Sequence, residues 1–469
     1  MTKFLSIPAG LLLFAGAANA ADMPVKAMPT KAPPVVTYDW NGFYIGGYYG
    51  NSVQETKAHT DPPGDPVGTR PGVVDINSQG LTFGATAGYN WQFDPRWLVG
   101  IEADIGDMGL DKTSREYDDS IIDGSKATWY STLRGRFGYV TGPSLLYVTA
   151  GGAWVHVTDT FGGATALRNV VAVPAIANTT TASGFTAGGG IETKLSRNWT
   201  AKTEYLFIDV GSTNFGSNPF SVPGVPTTFD HTYHVIKTGL SYKLDGTWEG
   251  LPFFGAPLLP SNHNWQGFYA GLNLGGGMSL VRAVDDGNFQ GGEENPQGTG
   301  ASAGGQVGYN YMLGSTPIGT WFVGAEADIS YLGIHTLVDD WDDTAPPLGS
   351  GVRFQADTKW LATARARLGT TTGPALLYMT GGAAWVGLKD GFAPDIGTTG
   401  DLASRTAFGF TVGGGTEVAI NERWSAKIES LYVDAGHKEH QAFPHSVFAD
   451  FKDRFMVVRA GLNMKLGDW

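Results

Sequence analysis

Charged residues occupy alternate positions in several segments of this 469-residue chain, and their side chains are its main candidates for chemistry. Glu102 and Asp104 lie two residues apart, as do Arg134 and Arg136. Residues two apart share one face of a β-strand. Such clusters could supply a catalytic acid and base, line an ion-conducting channel, or neutralise one another as a structural plug. The pattern continues at Lys202, Glu204, Lys237, Glu326, Asp328, Arg365, Arg367, Lys427, Glu429 and Arg459.

The chain contains two copies of one sequence. Residues 184–211 and 409–436 align without a gap, with 14 of 28 positions identical and an offset of 225 residues. The segment WLVGIEADI at 97–105 returns as WFVGAEADI at 321–329, and KTGLSYKL at 237–244 returns as RAGLNMKL at 459–466. An internal repeat of this length indicates a duplicated structural unit.

Each repeat predicts eight β-strands. After the turn at 420–423, Trp424, Ala426 and Ile428 fall on one face, while Lys427 and Glu429 fall on the other. In the first repeat the predicted strands are roughly 42–51, 79–92, 97–107, 128–139, 144–157, 183–194, 200–210 and 231–244. In the second they are roughly 267–278, 301–312, 321–331, 358–369, 375–387, 407–419, 424–434 and 453–466. Most have the ~9–11 residues with which a tilted strand crosses a bilayer.

The connections between the predicted strands alternate between short and long. The short ones are 93–96, 140–143 and 195–198, and the long ones are 52–78, 108–127, 158–182 and 211–230. Membrane barrels place short turns on the periplasmic side and long loops outside. A soluble β-sandwich has no reason to sort its loops by side. The fold class predicted is therefore an all-β, transmembrane, antiparallel up-and-down barrel with two homologous eight-strand units.

The amino terminus and the composition agree with an exported membrane protein. Lys3, the apolar run 4–18 and the small residues Ala18 and Ala20 form a signal peptide with cleavage after Ala20. The chain has no cysteine, 68 glycines and a net charge of −13, which disfavours a nucleic-acid partner. The predicted divisions are a signal peptide at 1–20, a Pro-rich periplasmic tether at 21–38, a first barrel unit at 39–244, a linker at 245–264 and a second unit at 265–469.

The barrel prediction assigns the charged residues to the interior. An Arg or Lys that faces lipid at mid-membrane costs about 2–4 kcal/mol, so these side chains must face inward. Eight strands enclose a bore that side chains can fill, and unlike charges there should pair. The favoured interpretation is a lumen closed by ion pairs; an ion-conducting lumen is the alternative. Nothing else in the chain supports catalysis, so the protein is predicted not to be an enzyme.

The residues also resemble a known family. The segment 21–26 with the Pro-rich stretch after it, the opening Trp40-Asn41-Gly42-Phe43-Tyr44 and the Trp-Ser/Thr-Ala-Lys-x-Glu strand resemble the small outer-membrane β-barrels of alphaproteobacteria, often called the outer-membrane immunogenic or porin-like family. The resemblance implies residence in the outer membrane of a Gram-negative bacterium, with a structural or surface-exposed envelope role. It also implies contact with outer-membrane lipid and lipopolysaccharide. The long loops could bind small solutes or surface ligands.

The last strand resembles the signal that the outer-membrane assembly machinery reads. Gly461, Met464 and Leu466 fit that pattern, and the chain ends on the aromatic Trp469. Lys237–Leu244 fits it as well, but in mid-chain. This favours two separate barrels over one fused sixteen-strand barrel. The fused alternative would instead be a general diffusion porin, because sixteen strands leave an aqueous channel.

A histidine cluster is the remaining candidate site. His437, His440 and His445 are predicted to share one outer loop with Glu439. Histidine is the commonest metal ligand, but this spacing matches no closed metal site. A solvated loop is the favoured interpretation, and no cofactor is predicted.

Overall fold

The structure is a computed structural model. It describes residues 38–59, 73–116, 121–162, 175–217, 226–246, 248, 250–252, 255–256, 263–285, 293–294, 298–316, 319–341, 351–372, 374–393, 401–442 and 447–467. The predicted signal peptide with Ala18 and Ala20, nearly all of the tether, His445 and Trp469 lie outside these ranges. No helix in the described part of the chain is long and apolar enough to cross a membrane.

The first unit is a closed ring of eight antiparallel strands. Its strands are β1 (Gly42–His59), β2 (Val73–Asp94), β3 (Trp97–Glu116), β4 (Ile121–Thr141), β5 (Ser144–Gly162), β6 (Ile176–Lys194), β7 (Trp199–Ser217) and β8 (Pro226–Lys243). The ring closes where β8 pairs with β1, in a register that sets Lys237 opposite Gly50 and Lys243 opposite Tyr44.

The second unit repeats this ring after two short paired segments, β9 (Leu251–Pro252) and β10 (Gly255–Ala256). Its strands are β11 (Gly267–Ser279), β14 (Thr299–Thr316), β15 (Gly319–Trp341), β16 (Gly351–Thr372), β17 (Ala375–Ala393), β18 (Leu402–Ala419), β19 (Trp424–Ala442) and β20 (Val447–Leu466). Two small strands, β12 (Arg282–Asp285) and β13 (Glu293–Glu294), extend the sheet beside β20. The ring closes through β11 and β20, which pair from Phe268↔Leu466 to Ser279↔Phe455.

The alternative of one sixteen-strand barrel is wrong. In a fused barrel β8 would pair with β11, whereas each unit pairs its own last strand with its own first strand. Each ring thereby satisfies its edge hydrogen bonds internally, as a structure in hydrocarbon requires. The fold prediction of two homologous eight-strand units is confirmed.

Most strands are longer than the sequence predicted, chiefly at the long-loop end, although β14 gains more residues at its short-turn end. β1 runs to His59 rather than to residue 51, and β15 spans 23 residues. The short turns stay close to their predicted places, for example at Gly142, whose φ of 59° suits the tight connection of β4 to β5. The extra length continues the barrel wall beyond the height that a bilayer needs.

The outer face carries an apolar belt and the inner face carries the charges. On β4, Leu133 and Phe137 are about half exposed, whereas Arg134 and Arg136 between them are buried. The belt ends toward the long loops where outward residues become polar, as at Asp434 on β19 and Arg454 on β20, which form an ion pair at 3.3 Å. This alternation is that of a strand with lipid on one side and a filled bore on the other.

Candidate functional site

Arg134 lies at the centre of a buried ion-pair network inside the first unit. Its guanidinium donates to Glu102 Oε1 at 2.7 Å and to Glu204 Oε1 at 2.8 Å, and it also pairs with Asp104. The adjacent strands β3 and β4 supply two carboxylates and the arginine, and β7 supplies Glu204 from elsewhere in the ring. The side chains of Arg134, Asp104 and Glu204 are fully buried. One forked cation therefore satisfies three carboxylates.

Lysines and a second arginine complete the first network. Lys202 Nζ donates to Glu102 Oε2 at 2.7 Å, and Lys237 Nζ donates to Asp104 Oδ2 at 2.6 Å. Arg136 donates to Glu102 at 3.2 Å and to Glu192 at 2.7 Å. The structure therefore brings all the charged residues that the sequence predicted for the first bore into one connected cluster.

The second unit builds the same network with one substitution. Arg365 Nη1 donates to Glu429 Oε2 at 2.9 Å, and Lys427 Nζ donates to Glu326 Oε1 at 2.9 Å. Arg459, which takes the place of Lys237, donates to both oxygens of Asp328 at 2.8 and 2.9 Å and to Glu429 at 2.9 Å. The predicted residues of the second bore are likewise brought together, with Arg367 bound to Glu417 at 2.9 Å.

Sequence reasoning missed one carboxylate in each network. Glu192 on β6 and Glu417 on β18 are each 2% exposed, and each accepts from an arginine of β4 or β16. They balance the charge: each described network holds four carboxylates and four cations. Glu102, Asp104, Glu192 and Glu204 face Arg134, Arg136, Lys202 and Lys237; Glu326, Asp328, Glu417 and Glu429 face Arg365, Arg367, Lys427 and Arg459. The shared Gly-Gly-Gly-x-Glu sequence could have revealed both.

Two tyrosines in each unit add further hydrogen bonds to the network. In the first unit Tyr44 donates to Glu102 at 2.7 Å and Tyr147 donates to Glu204 at 2.9 Å. In the second unit Tyr269 and Tyr378 donate in the same way to Glu326 and Glu429, at 2.7 and 2.9 Å. The carboxylates thereby gain donors beyond their ion pairs, which offsets part of the cost of burying charge.

Glycine opposite each central arginine makes room for the network. Gly151 pairs with Arg134, and a Cβ at Gly151 would lie 2.1 Å from the Leu133 carbonyl oxygen. Gly382 pairs with Arg365, and its Cβ would lie 2.1 Å from the Ala364 carbonyl oxygen. The two strands approach so closely there that no side chain fits.

Apolar layers close each bore on both sides of the charges. In the first unit, Trp40, Leu98 and Leu145 form a buried cluster toward the short turns. Met108, Val155 and Tyr233 belong to a larger buried cluster toward the long loops. In the second unit, the corresponding buried clusters contain Phe322 toward the short turns and Phe455 toward the long loops. Two apolar layers and one ionic layer therefore follow one another along each bore.

Oxygen atoms of Glu102, Asp104 and Glu204 converge to within 4.8 Å of one another, a spacing that could hold a metal ion. Arg134, Lys202 and Lys237 already contact these carboxylates. Because side-chain cations neutralise them, the geometry fits an ion-pair cluster better than a metal centre.

The prediction of a solvated loop at the histidines is wrong for His437 and His440, which both lie on β19. A bulge between Asp434 and His437 lets β19 continue beside β20. His437 is exposed and lies 2.9 Å from Asp450. His440 is buried inside the strand extension, with its ring nitrogens 3.6 Å from Asp390 and from Asp401.

The assembly-signal residues lie on the closing strand. Gly461 pairs with Asn273, Met464 with Ala270 and Leu466 with Phe268. Met464 and Leu466 are 37% and 40% exposed on the outer face. Their predicted recognition by the assembly machinery stays a prediction.

A polar contact ties the chain entrance of the first unit to its last strand. Lys243 Nζ donates to Asp39 Oδ2 at 2.6 Å, just outside the strands. Partial burial raises the pKa of Asp39, but the hydrogen bond from Lys243 and those from Asn41 outweigh it and lower this pKa to about 2. In the second unit Lys465 contacts the Asn264 carbonyl oxygen instead, at 3.2 Å.

An apolar outer belt, a filled ionic bore and short turns at one end define a transmembrane β-barrel of the outer-membrane type. The chain belongs to the outer membrane protein beta-barrel domain family, whose family model matches residues 9–243 and 251–464. The match occurs twice, in agreement with the tandem duplication. The protein therefore resides in the outer membrane of a Gram-negative bacterium.

Curated relatives match over about half of the chain and almost all of their own length. The chain is 33% identical to the 31 kDa outer-membrane immunogenic protein of Brucella melitensis over 246 residues, which cover 49% of this chain and 95% of that protein. It is 29% identical to the 25 kDa outer-membrane immunogenic protein of Brucella canis, over 52% of this chain and 98% of that protein. The crystal structure of Ail of Yersinia pestis overlaps 44% of this chain and 99% of its own, at 11% identity and a TM-score of 0.23. A TM-score this low supports no argument.

Proposed function

We propose that the protein is a structural, surface-exposed component of the outer membrane whose two bores do not conduct. The observation that carries this proposal is the closure of each bore by a charge-balanced network of which no member is more than 6% exposed. A diffusion pore needs water along its length. In an eight-strand barrel the side chains fill the available space.

The strand extensions support the surface-exposed part of the proposal. At the long-loop end, β15 and β16 stay paired up to Trp341↔Gly351, ten residue positions beyond Tyr331 on the apolar belt. This wall projects outside the membrane and carries the long loops with it. The Brucella relatives are named immunogenic proteins, which fits proteins that are accessible at the cell surface. Lipopolysaccharide, the assembly machinery and ligands of the loops remain proposed partners.

Conductance measurements on the full-length protein in planar bilayers test this proposal. We expect small or no stable channels, while a sixteen-strand porin in the same bilayer serves as the positive control. Heat-modifiable migration on a gel verifies that the inserted protein is folded. Large, steady, porin-like openings from folded protein would contradict the proposal and favour the diffusion-porin alternative.

A further inference from the structure

The outer faces of the two units enclose an apolar cleft. Its volume is about 1660 Å³, larger than the ~300–1,000 Å³ of an ordinary small-molecule pocket. Ile191 and Ile236 of the first unit face Leu272, Leu274 and Leu462 of the second across it. All five point outward from their barrels, so the cleft lies at the depth of the lipid tails.

Contacts at both ends hold the cleft open. Toward the long loops, Val53 packs in one buried cluster with Met278, Leu280 and Met456. Toward the periplasmic turns, the Thr141 hydroxyl donates to the Ala419 carbonyl oxygen at 3.3 Å. The two units also pack along one flank, where Ile191 lies in a buried cluster with Ala375 and Val418. They therefore touch above, below and at this flank without closing the space between them. At this depth only hydrocarbon can fill an apolar space of this size.

The periplasmic end of the cleft has the chemistry of a phospholipid headgroup site. Trp97 and Trp424 line it, and each directly follows a turn arginine, Arg96 or Arg423. Neither arginine forms an ion pair within the part of the chain that the structure describes. Tryptophan beside a basic side chain at the edge of the hydrocarbon layer is the arrangement that anchors anionic lipid.

The long-loop end of the cleft does not offer a headgroup site of this kind. His234 lines the cleft there, but its Nδ1 lies 2.8 Å from the Tyr205 hydroxyl and its Nε2 lies 3.4 Å from Glu55. The carboxylate of Glu55 disfavours a phosphate at that end. The charges therefore select a lipid of the periplasmic leaflet over the lipopolysaccharide of the outer leaflet.

We propose that the cleft holds one phospholipid of the periplasmic leaflet, with its acyl chains between the two units and its phosphate against Arg96 and Arg423. The lipid completes the surface between the barrels, so that the tandem chain and one lipid pack as a unit. A single eight-strand unit could not form such a cleft, because the cleft needs a wall from each repeat.

Native mass spectrometry of the full-length protein, released from nanodiscs that contain phosphatidylglycerol and lipid A, tests the proposal. We expect one retained phosphatidylglycerol per chain. The double variant Arg96→Gln/Arg423→Gln should weaken retention by about thirtyfold, from the loss of two surface cations near a phosphate. The matched control is Arg197→Gln, because Arg197 is an exposed turn arginine at the same end but outside the cleft.

A second variant fills the cleft. Ala460 is an exposed, outward residue of β20 that lines the cleft, and Ala460→Trp should abolish retention of the lipid. Ala325→Trp is its control, because Ala325 is an equally outward residue of β15 that does not line it. Heat-modifiability shows that each variant is folded. Retention of lipid A in preference to phosphatidylglycerol, a dimer mass without lipid, no retention, or unchanged retention in folded variants would each overturn the proposal.

Discussion

Arg134 shows how one residue can determine the stability of a barrel interior. It joins β4 to carboxylates of β3 and β7, and its side chain is fully buried. A buried ion pair adds little net stability when complete, since desolvation of both charges opposes their attraction. Removing one partner is strongly destabilising, because the other charges stay buried without compensation.

The first prediction is therefore that Arg134→Ala destabilises the first unit by about 3–5 kcal/mol. The four carboxylates of the network, Glu102, Asp104, Glu192 and Glu204, would be left facing only three cations. Thermal unfolding in detergent micelles measures the effect. Lys126→Ala is the control on the same strand, since Lys126 forms an exposed pair with Asp111 and should change little. Equal stability of both variants would refute the ionic plug.

Among the charged residues of the bores, those in alternating pairs that recur in both copies were predicted better from the sequence than those outside such pairs. Glu102 with Asp104, and Arg134 with Arg136, stand out because the pairs repeat in both copies. Glu417 has no charged residue two positions away, and the Glu192/Lys194 pair has no counterpart at Glu417 and Ala419, so no alternation that repeats in both copies marks them. His440 was misplaced because the bulge after Asp434 that extends β19 has no clear signal in the sequence.

At the scale of elements, β4 shows that the two faces of one strand obey different rules. Leu133 is 49% exposed and faces lipid, while its neighbour Arg134 is 1% exposed and faces the bore. A slip of one residue would exchange every side chain between lipid and bore. The register is therefore fixed by charge as well as by hydrophobicity.

The prediction for this element is that Leu133→Arg costs about 2–4 kcal/mol, because nothing in the lipid neutralises a charge near mid-membrane. Leu133→Met, which keeps an apolar side chain, is the matched control and should be nearly neutral. Unfolding in micelles compares the two. If Leu133→Arg is silent and charges at Gly135 and Phe137 are also tolerated, the assignment of faces is wrong by one residue.

Strand length was the property of the elements that the sequence predicted least well. The apolar belt is visible as alternation, so its limits could be predicted on β3 and β4. Beyond the belt both faces of a strand become polar, for example at Lys112 and Thr113 on β3, and alternation disappears while pairing continues. Polar sequence that stays in a sheet cannot be told from loop by hydrophobic periodicity alone.

For the whole molecule, the number of barrels depends on pairings far apart in the chain. The sequence contains two closing strands, Lys237–Leu244 and Arg459–Leu466, and either could end a ring. Only the structure shows that β8 returns to β1 through sixteen paired positions, from Tyr44↔Lys243 to His59↔Thr228. A mid-chain assembly signal favours this outcome, but it does not exclude a fused ring.

The closure of the first ring leads to a prediction for the divided molecule. Residues 1–248 expressed alone should insert and migrate heat-modifiably, because β8 satisfies the free edge of β1 without help from the second unit. A shorter chain, residues 1–217, ends with β7 and lacks the closing strand. It is the matched control and should fail to become heat-modifiable, since its open edges would be exposed to hydrocarbon. If residues 1–248 also fail while the full chain folds, the first unit needs the second to form its barrel. The inference that each unit folds independently would then be wrong. Success of 1–248 alone would mean that the tandem arrangement serves something other than folding, such as the lipid-filled surface between the two units.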